Sequence, residues 1–211
     1  MLKVLLSLLL VTSCCKWQHK KENKIASDVK YEVATFGMGC FWCGQAHLKG
    51  INGVIDSRVG YLKYENSPTS VKVKKGDSEV SYCKICSNTA KNFVEVVQIK
   101  FDPSVLSYAD LMKAFYAAHT PTALDRQGAN LEDVGFQYKS AIFYHSEEQK
   151  AQAELLKSEL NKTKYEGKIK TEIAKYEDAN FKQAEWYHQH YWSNKKSLDE
   201  KGKVKIRATK W

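Results

Sequence analysis

An apolar run from Val33 to Met38 breaks at Gly39-Cys40-Phe41-Trp42-Cys43, and this break is the strongest constraint on how the chain can fold. The segment leading into it, Tyr31-Glu-Val-Ala-Thr-Phe36, has the composition of a strand. Beyond it, Gln45-Ala-His-Leu48 suits a short helix that Lys49-Gly50 would close. Cys40 therefore falls at a strand-to-helix turn, near the partial positive charge of a helix N-terminus. Such a setting lowers a thiol pKa from about 8.5 to roughly 3.5–7.5. The thiolate is the reactive form of cysteine, so Cys40 is a candidate nucleophile. The alternative is that Cys40 and Cys43 fill a core as small apolar residues. Spacing alone leaves both open.

The chain has 211 residues, 43% of them apolar and 12% aromatic, enough to bury a core in one domain of fair size. Its formal net charge of +9 comes from 30 lysines against 3 arginines, scattered rather than striped. Arginine is the better reader of phosphates and guanine edges, so this pattern points to a solvated surface and away from nucleic acid. Lys3 and the run Val4–Val11 form a positive and then apolar leader, too short to span a bilayer. It ends in Val11-Thr12-Ser13-Cys14, similar to the bacterial lipoprotein signal, in which cleavage precedes a cysteine that is then lipidated. Residues 1–13 are thus expected to be a signal peptide, Cys14 the lipidation site, and the lysine-rich stretch 14–29 a polar tether. The protein is expected in the bacterial cell envelope, outside the cytoplasm, where disulfides persist.

Further along, Gly53–Tyr61 alternates as a half-buried strand, residues 63–81 form a long polar loop, and Phe93–Phe101 is a strong strand closed by Asp102-Pro103. Ser107 is positioned as an N-cap for a helix with Tyr108, Leu111, Phe115 and Ala118 on one face, ending at Thr120-Pro121. A loop carrying Asp125, Gly128 and Asp133 leads to a strand over 137–144. Ser146-Glu-Glu-Gln149 reads as a capping box for a helix buried through Ala153, Leu156 and Leu160. A strand over 170–176 and a short helix over Glu185–Trp192 follow. The order predicts an α+β fold, a single domain with a mixed β-sheet flanked by helices and a ferredoxin-like two-layer core.

Cys40-x-x-Cys43 and Cys83-x-x-Cys86 together allow a non-enzymatic four-thiolate zinc module, but the 39 residues between the pairs exceed the usual gap of roughly 15–20. A general thiol–disulfide oxidoreductase is the other bare possibility for the first pair, although no proline-bearing partner loop is evident. Six ordered stretches point elsewhere. They are Gly39-Cys-Phe-Trp-Cys43, Val59-Gly-Tyr61, Tyr82-x-x-x-Cys86-Ser87, Glu95-Val-Val-x-Ile-x-Phe-Asp-Pro-Ser104, Gln137-Tyr-Lys-Ser-Ala-Ile-Phe-Tyr-His145 and Ala184-Glu-x-Tyr-His-Gln189. In these the chain resembles the peptide methionine sulfoxide reductase A family over most of residues 33–192.

The resemblance implies a catalytic domain over 30–195, followed by a basic tail over 196–211. It implies thiol-dependent reduction of the S-epimer of methionine sulfoxide, free or in peptides, with no bound cofactor or metal and with a thioredoxin-like dithiol as external reductant. Cys40 would attack the sulfoxide sulfur and become a sulfenic acid, which a second thiol converts to a disulfide. Glu95 matches the acid that protonates the sulfoxide oxygen; Tyr82, Asp133 and Tyr138 match the polar groups around that oxygen; Phe41 and Trp42 match the pocket for the substrate methyl. Read by alternation alone, Glu95 is an outward strand residue. No cysteine follows Cys86, so Cys43 is the expected resolving thiol, with Cys83 and Cys86 as the other candidates. Substrates would be oxidised envelope proteins, reached by a lipid-anchored monomer. The family's glutamate after the motif is Gln45 here, its Gly-Tyr-x-Gly-Gly is Gly60-Tyr-Leu-Lys-Tyr64, and its Gly-His-Ala is Asn92-Phe93-Val94.

Overall fold

Helices and strands alternate from Glu32 onward in the computed structural model, which describes residues 30–72, 80–87, 90–128 and 130–196. The expected leader, Cys14, the tether and the tail beyond 196 lie outside the described residues. The strands are β1 (Glu32–Met38), β2 (Val54–Lys63), β3 (Phe93–Phe101), β4 (Arg126–Gln127), β5 (Asp133–Val134), β6 (Ser140–Tyr144), β7 (Glu172–Lys175) and β8 (Phe181–Gln183). The helices are α1 (Phe41–Leu48), α2 (Tyr82–Cys86), α3 (Tyr108–Ala117), α4 (Glu147–Thr163) and α5 (Tyr191–Lys196).

Six strands form one sheet in the order β7-β6-β1-β3-β2-β8. Only the β6–β7 pair is parallel, so the sheet is mixed, as expected. Its middle four strands, β6-β1-β3-β2, connect as a ferredoxin-like βαββαβ unit. Strand β3 is central and nearly continuously buried, and its side chains divide by the two-residue period. Phe93, Val97, Ile99 and Phe101 pack with Phe36, Phe41, Leu111 and Phe115 on the helical side. Val94 and Val96 pack with Leu62 and Phe143 on the other, under Phe136, Tyr176 and Phe181. Each such side chain contributes about 1.5–3 kcal/mol of burial. Glu95, in phase with Phe93 and Val97, is therefore directed to the helical side, and it is 2% exposed. The outward orientation suggested by alternation fails because a central strand has no solvent face.

The caps form where expected. Ser107 Oγ accepts the Asp110 N–H (3.1 Å), and Ser146 Oγ accepts the Gln149 N–H (3.2 Å). Gln149 does not complete a capping box. Its Oε1 accepts the His145 N–H (3.0 Å) and its Nε2 donates to the Val33 carbonyl (2.9 Å), which ties α4 to β1.

Three expectations change. The strand expected over 137–144 begins only at Ser140, after a 3-10 turn over Phe136–Tyr138. The loop carrying Asp125, Gly128 and Asp133 closes as the β4–β5 hairpin. It is anchored by Lys139, a fully buried amine that donates to Asp125 Oδ1 (2.5 Å), Thr69 Oγ1 (2.9 Å) and Glu172 Oε1 (3.2 Å). The single helix over Glu185–Trp192 is instead a 3-10 turn, Trp186–His188, followed by α5. Between them Gln189 is drawn out of register. Its Oε1 accepts the Val59 N–H, and its Nε2 donates to the Val59 and Ala184 carbonyls, all at 2.9 Å. His190 then takes a positive φ of 53°.

Candidate active site

The turn after β1 depends on Gly39, whose φ is +87° and whose Cβ, were there one, would lie 2.6 Å from the Gln127 Cβ. Cys40 follows as the N-cap of α1 (φ −54°, ψ 119°), and its carbonyl accepts the N–H groups of Cys43 (3.0 Å) and Gly44 (3.1 Å). The two thiols thus sit one turn apart, both free, with Cys40 half-buried and Cys43 exposed.

The first amide of a helix has no partner within it. Here the Phe41 N–H donates to Glu95 Oε2 at 3.0 Å, which holds the carboxyl at the start of α1 beside Cys40. Burial pushes the Glu95 pKa from 4.5 to about 8, the Phe41 N–H opposes the shift, and the charges of Asp133 and Cys43 add to it. At neutral pH this carboxyl is therefore mostly protonated and able to give up a proton.

The thiols behave differently from the expectation that the helix start ionises Cys40. Cys40 donates to the Cys43 sulfur and is desolvated, and it faces the Glu95 carboxyl; all three hold its proton on. Its backbone contact to Trp42 opposes them and is outweighed. Cys43 falls to about 6, chiefly through the bond from Cys40, with help from the Trp192 side chain and His47 and against its own desolvation. The two thiols are tightly coupled and titrate as a unit, with Cys40 held protonated and Cys43 the more readily ionised.

Tyr82 and Tyr138 are both half-buried, with hydroxyls pushed up mainly by desolvation, and both interact electrostatically with Glu95 and Cys40. Asp133 also interacts with Glu95 and Tyr138, and burial raises its own pKa. It lines a cleft of about 370 Å³ with Cys40, Cys43, His119 and Gln127. The expected site residues are thus brought together, with one difference in role. Phe41 is 1% exposed, with its ring 5.5 Å from Tyr61 and 5.4 Å from His188, so it backs the site instead of facing substrate. Trp42 remains half-exposed, stacked on Tyr191 at 4.0 Å and 12° and on Tyr82 at 6.2 Å. Trp42 and its ring partners form an apolar wall on α1, and Trp42 is the motif aromatic left partly open to solvent.

Sequence reasoning assigned no role to four residues that build this wall. His188 Nδ1 accepts the Trp42 indole N–H at 3.0 Å. Glu185 accepts the Tyr82 N–H (3.0 Å) and the Tyr61 hydroxyl (3.1 Å). Tyr191 stacks on Trp42, and Gln189 sets the path of the chain between them. All lie in or beside the Ala184–Gln189 motif, the signal that pointed to them. Gln45 uses both ends of its amide: Nε2 donates to the Ser57 carbonyl at 3.1 Å, and Oε1 accepts the His190 N–H at 2.6 Å. A carboxylate could not make the first bond. Asn92 (φ 60°) exchanges two hydrogen bonds with the backbone of Val71, a positive φ that asparagine tolerates. Among the described residues no group of three or more His, Cys, Asp or Glu side chains is placed to hold a metal ion.

A family model described as peptide methionine sulfoxide reductase matches residues 32–210. The peptide methionine sulfoxide reductase MsrA of Thermus thermophilus is 42% identical over 163 residues, 77% of this chain and 82% of the relative. Reduced Mxr1 from Saccharomyces cerevisiae has a similar structure, with a TM-score of 0.66 at 31% identity over 86% of this chain and 95% of that one. The same yeast protein in complex with Trx2 gives a TM-score of 0.50 at 24% identity over 78% and 87%.

Proposed function

Because the chain belongs to the peptide methionine sulfoxide reductase family, whose reaction is thiol-dependent reduction of methionine sulfoxide, we propose that Cys40 is its nucleophile and Glu95 its acid. The observation that carries this assignment is the buried, protonated Glu95 carboxyl held beside Cys40 by the Phe41 N–H. A sulfoxide entering the cleft accepts the Glu95 proton on its oxygen, which makes its sulfur electrophilic. Glu95, now a carboxylate, takes the Cys40 proton as the Cys40 sulfur attacks. The oxygen passes to Cys40 as a sulfenic acid, and methionine leaves. Tyr82 and Tyr138 donate to the oxygen, Asp133 orders the polar edge of the cleft, and Trp42 meets the methyl. The reactant is the S-epimer. The purified protein, supplied with dithiothreitol, should reduce the S-epimer at least about tenfold faster than the R-epimer, as resolved by chiral chromatography. Equal rates, or no turnover together with one bound zinc per chain, would overturn the assignment.

Cys43 resolves the sulfenic acid: its sulfur attacks the Cys40 sulfur, the S–O bond breaks, and the oxygen leaves as water. Cys43 shares the turn with Cys40, so no loop has to close, and its thiolate is the attacking form. Cys40 is the N-cap and Cys43 lies three residues on in the same turn, a spacing that puts Cβ atoms about 5–6 Å apart, and bridging them requires roughly 3.5–4.5 Å. In a chain with Cys83→Ser and Cys86→Ser, one equivalent of substrate should consume two thiols and yield a Cys40–Cys43 bridge by mass spectrometry. A sulfenic acid that persists on Cys40 would exclude Cys43. A thioredoxin-like dithiol regenerates the thiols; the complex of yeast Mxr1 with Trx2 supports that class of partner.

The N-terminal Val11-Thr-Ser-Cys14, similar to a lipoprotein signal, supports a location in the cell envelope through a lipidated Cys14, with 15–29 as a leash and oxidised envelope proteins as substrates. One acyl chain anchors weakly, so stable attachment requires several. Cys14→Ser should move the protein from the membrane pellet to the soluble fraction. Retention in the pellet would overturn the anchor.

A further inference from the structure

The proposed chemistry leaves one pair of thiols unused. Cys83 and Cys86 lie three residues apart on α2, both free and both exposed. Neither fastens α2 to the core. That is done by Ile85, 2% exposed, and by the Tyr82 N–H on Glu185 Oε1 at 3.0 Å. Side chains at this spacing share a helix face with Cβ atoms about 5–6 Å apart, and a disulfide needs roughly 3.5–4.5 Å. Cys86 is the last residue of α2, so only the terminal turn has to tighten, as terminal turns readily do.

Cys86 is also linked to the site through Tyr82. Its thiol is hydrogen-bonded to the Tyr82 hydroxyl, and Tyr82 itself interacts with Cys40 and Glu95. Tyr138 faces the same three groups, Cys40, Glu95 and Cys86. One thiol from each pair, Cys40 and Cys86, thus interacts with both tyrosines.

We propose that Cys83 and Cys86 form a second redox-active dithiol, which reduces the Cys40–Cys43 disulfide from within the chain and presents its own disulfide to the external reductant. This rests on the assignment of Cys40 and Cys43 above. The Cys86 thiolate attacks the Cys40 sulfur, the Cys40–Cys43 bond breaks, and Cys43 leaves as a thiolate. Cys83 then attacks Cys86, releasing Cys40, and the proton lost by each attacking thiol is taken up by each leaving one. Two electrons move and the first pair is fully reduced. Cys43 suits the leaving role because a thiol of lower pKa leaves faster. Cys40 stays among Glu95, Tyr82 and Tyr138 throughout, while the reductant meets an exposed helix.

The test counts methionine released per chain when fully reduced protein meets excess sulfoxide with no external reductant. A Cys14→Ser/Cys15→Ser background leaves the four cysteines of the two pairs as the sole thiols. The proposal expects two methionines per chain, and one when Cys83→Ser and Cys86→Ser are added. Cys83→Ser alone should trap Cys86 in a mixed disulfide with Cys40. One methionine from the parent, or two from the chain lacking Cys83 and Cys86, would overturn it. Release of none by either chain would instead remove the Cys40 chemistry on which it stands.

Discussion

Cys40→Ser should leave no measurable turnover, while Cys43→Ser should still release one methionine per chain when mixed with substrate. The site contains two adjacent thiols, and the more easily ionised one is Cys43. Ionisation alone would therefore select the wrong nucleophile. Position selects Cys40, because Glu95, Tyr82 and Tyr138 all bear on its sulfur. A serine hydroxyl at that point cannot be oxidised to a sulfenic acid. Removing the nucleophile of a covalent mechanism costs on the order of 10⁶ in kcat in a well-studied protease, so the loss here should reach the floor of a rapid-quench assay. An unchanged melting temperature would show that Cys40→Ser is folded. Residual turnover within tenfold of the parent would transfer the nucleophilic role to Cys43.

Glu95→Gln should lower kcat/KM by about 10²–10⁴, the usual contribution of a positioned general acid. The amide keeps an acceptor for the Phe41 N–H but has no proton to give. In the parent, kcat/KM should fall as pH rises through about 8, where Glu95 ionises before substrate arrives. In the variant that limb should vanish. Stability supplies a second readout. The folded pKa of Glu95 lies above the unfolded value of 4.5, so the folded state holds its proton more tightly. The stabilisation is complete below 4.5 and is lost as pH rises to about 8, at roughly 1 kcal/mol per pH unit within that window. Urea denaturation at several pH values should show this slope in the parent and not in Glu95→Gln. A parent profile that stays flat through pH 8 would remove Glu95 as the acid.

How much of this was legible from the chain alone depends on how far apart the determining atoms lie. The apolar run into Gly39, the period of Phe93–Phe101 and the serine caps at 107 and 146 each arise from neighbours within a few residues, so the sequence by itself determined β1, β3, α3 and α4 and set Cys40 on a strand-to-helix turn. The ordered motifs also marked Glu95, Tyr82, Asp133 and Tyr138 as companions of Cys40. Only the tertiary structure decided the surroundings that set the proton and the exposure of each. Glu95 holds its proton because β3 became the central strand and α1 closed over it, which removed the water that would have kept the carboxyl ionised. Cys40 keeps its proton because Cys43 and Glu95 surround it, whereas an isolated helix start would have drawn the proton off. Trp42 is a wall because His188 and Tyr191, almost 150 positions later, hold its ring, and they arrive there because Gln189 bonds to Val59 and breaks the helix that local composition favoured. Burial and charge proximity are set by segments that meet only when the sheet is assembled, and no local pattern carries that order.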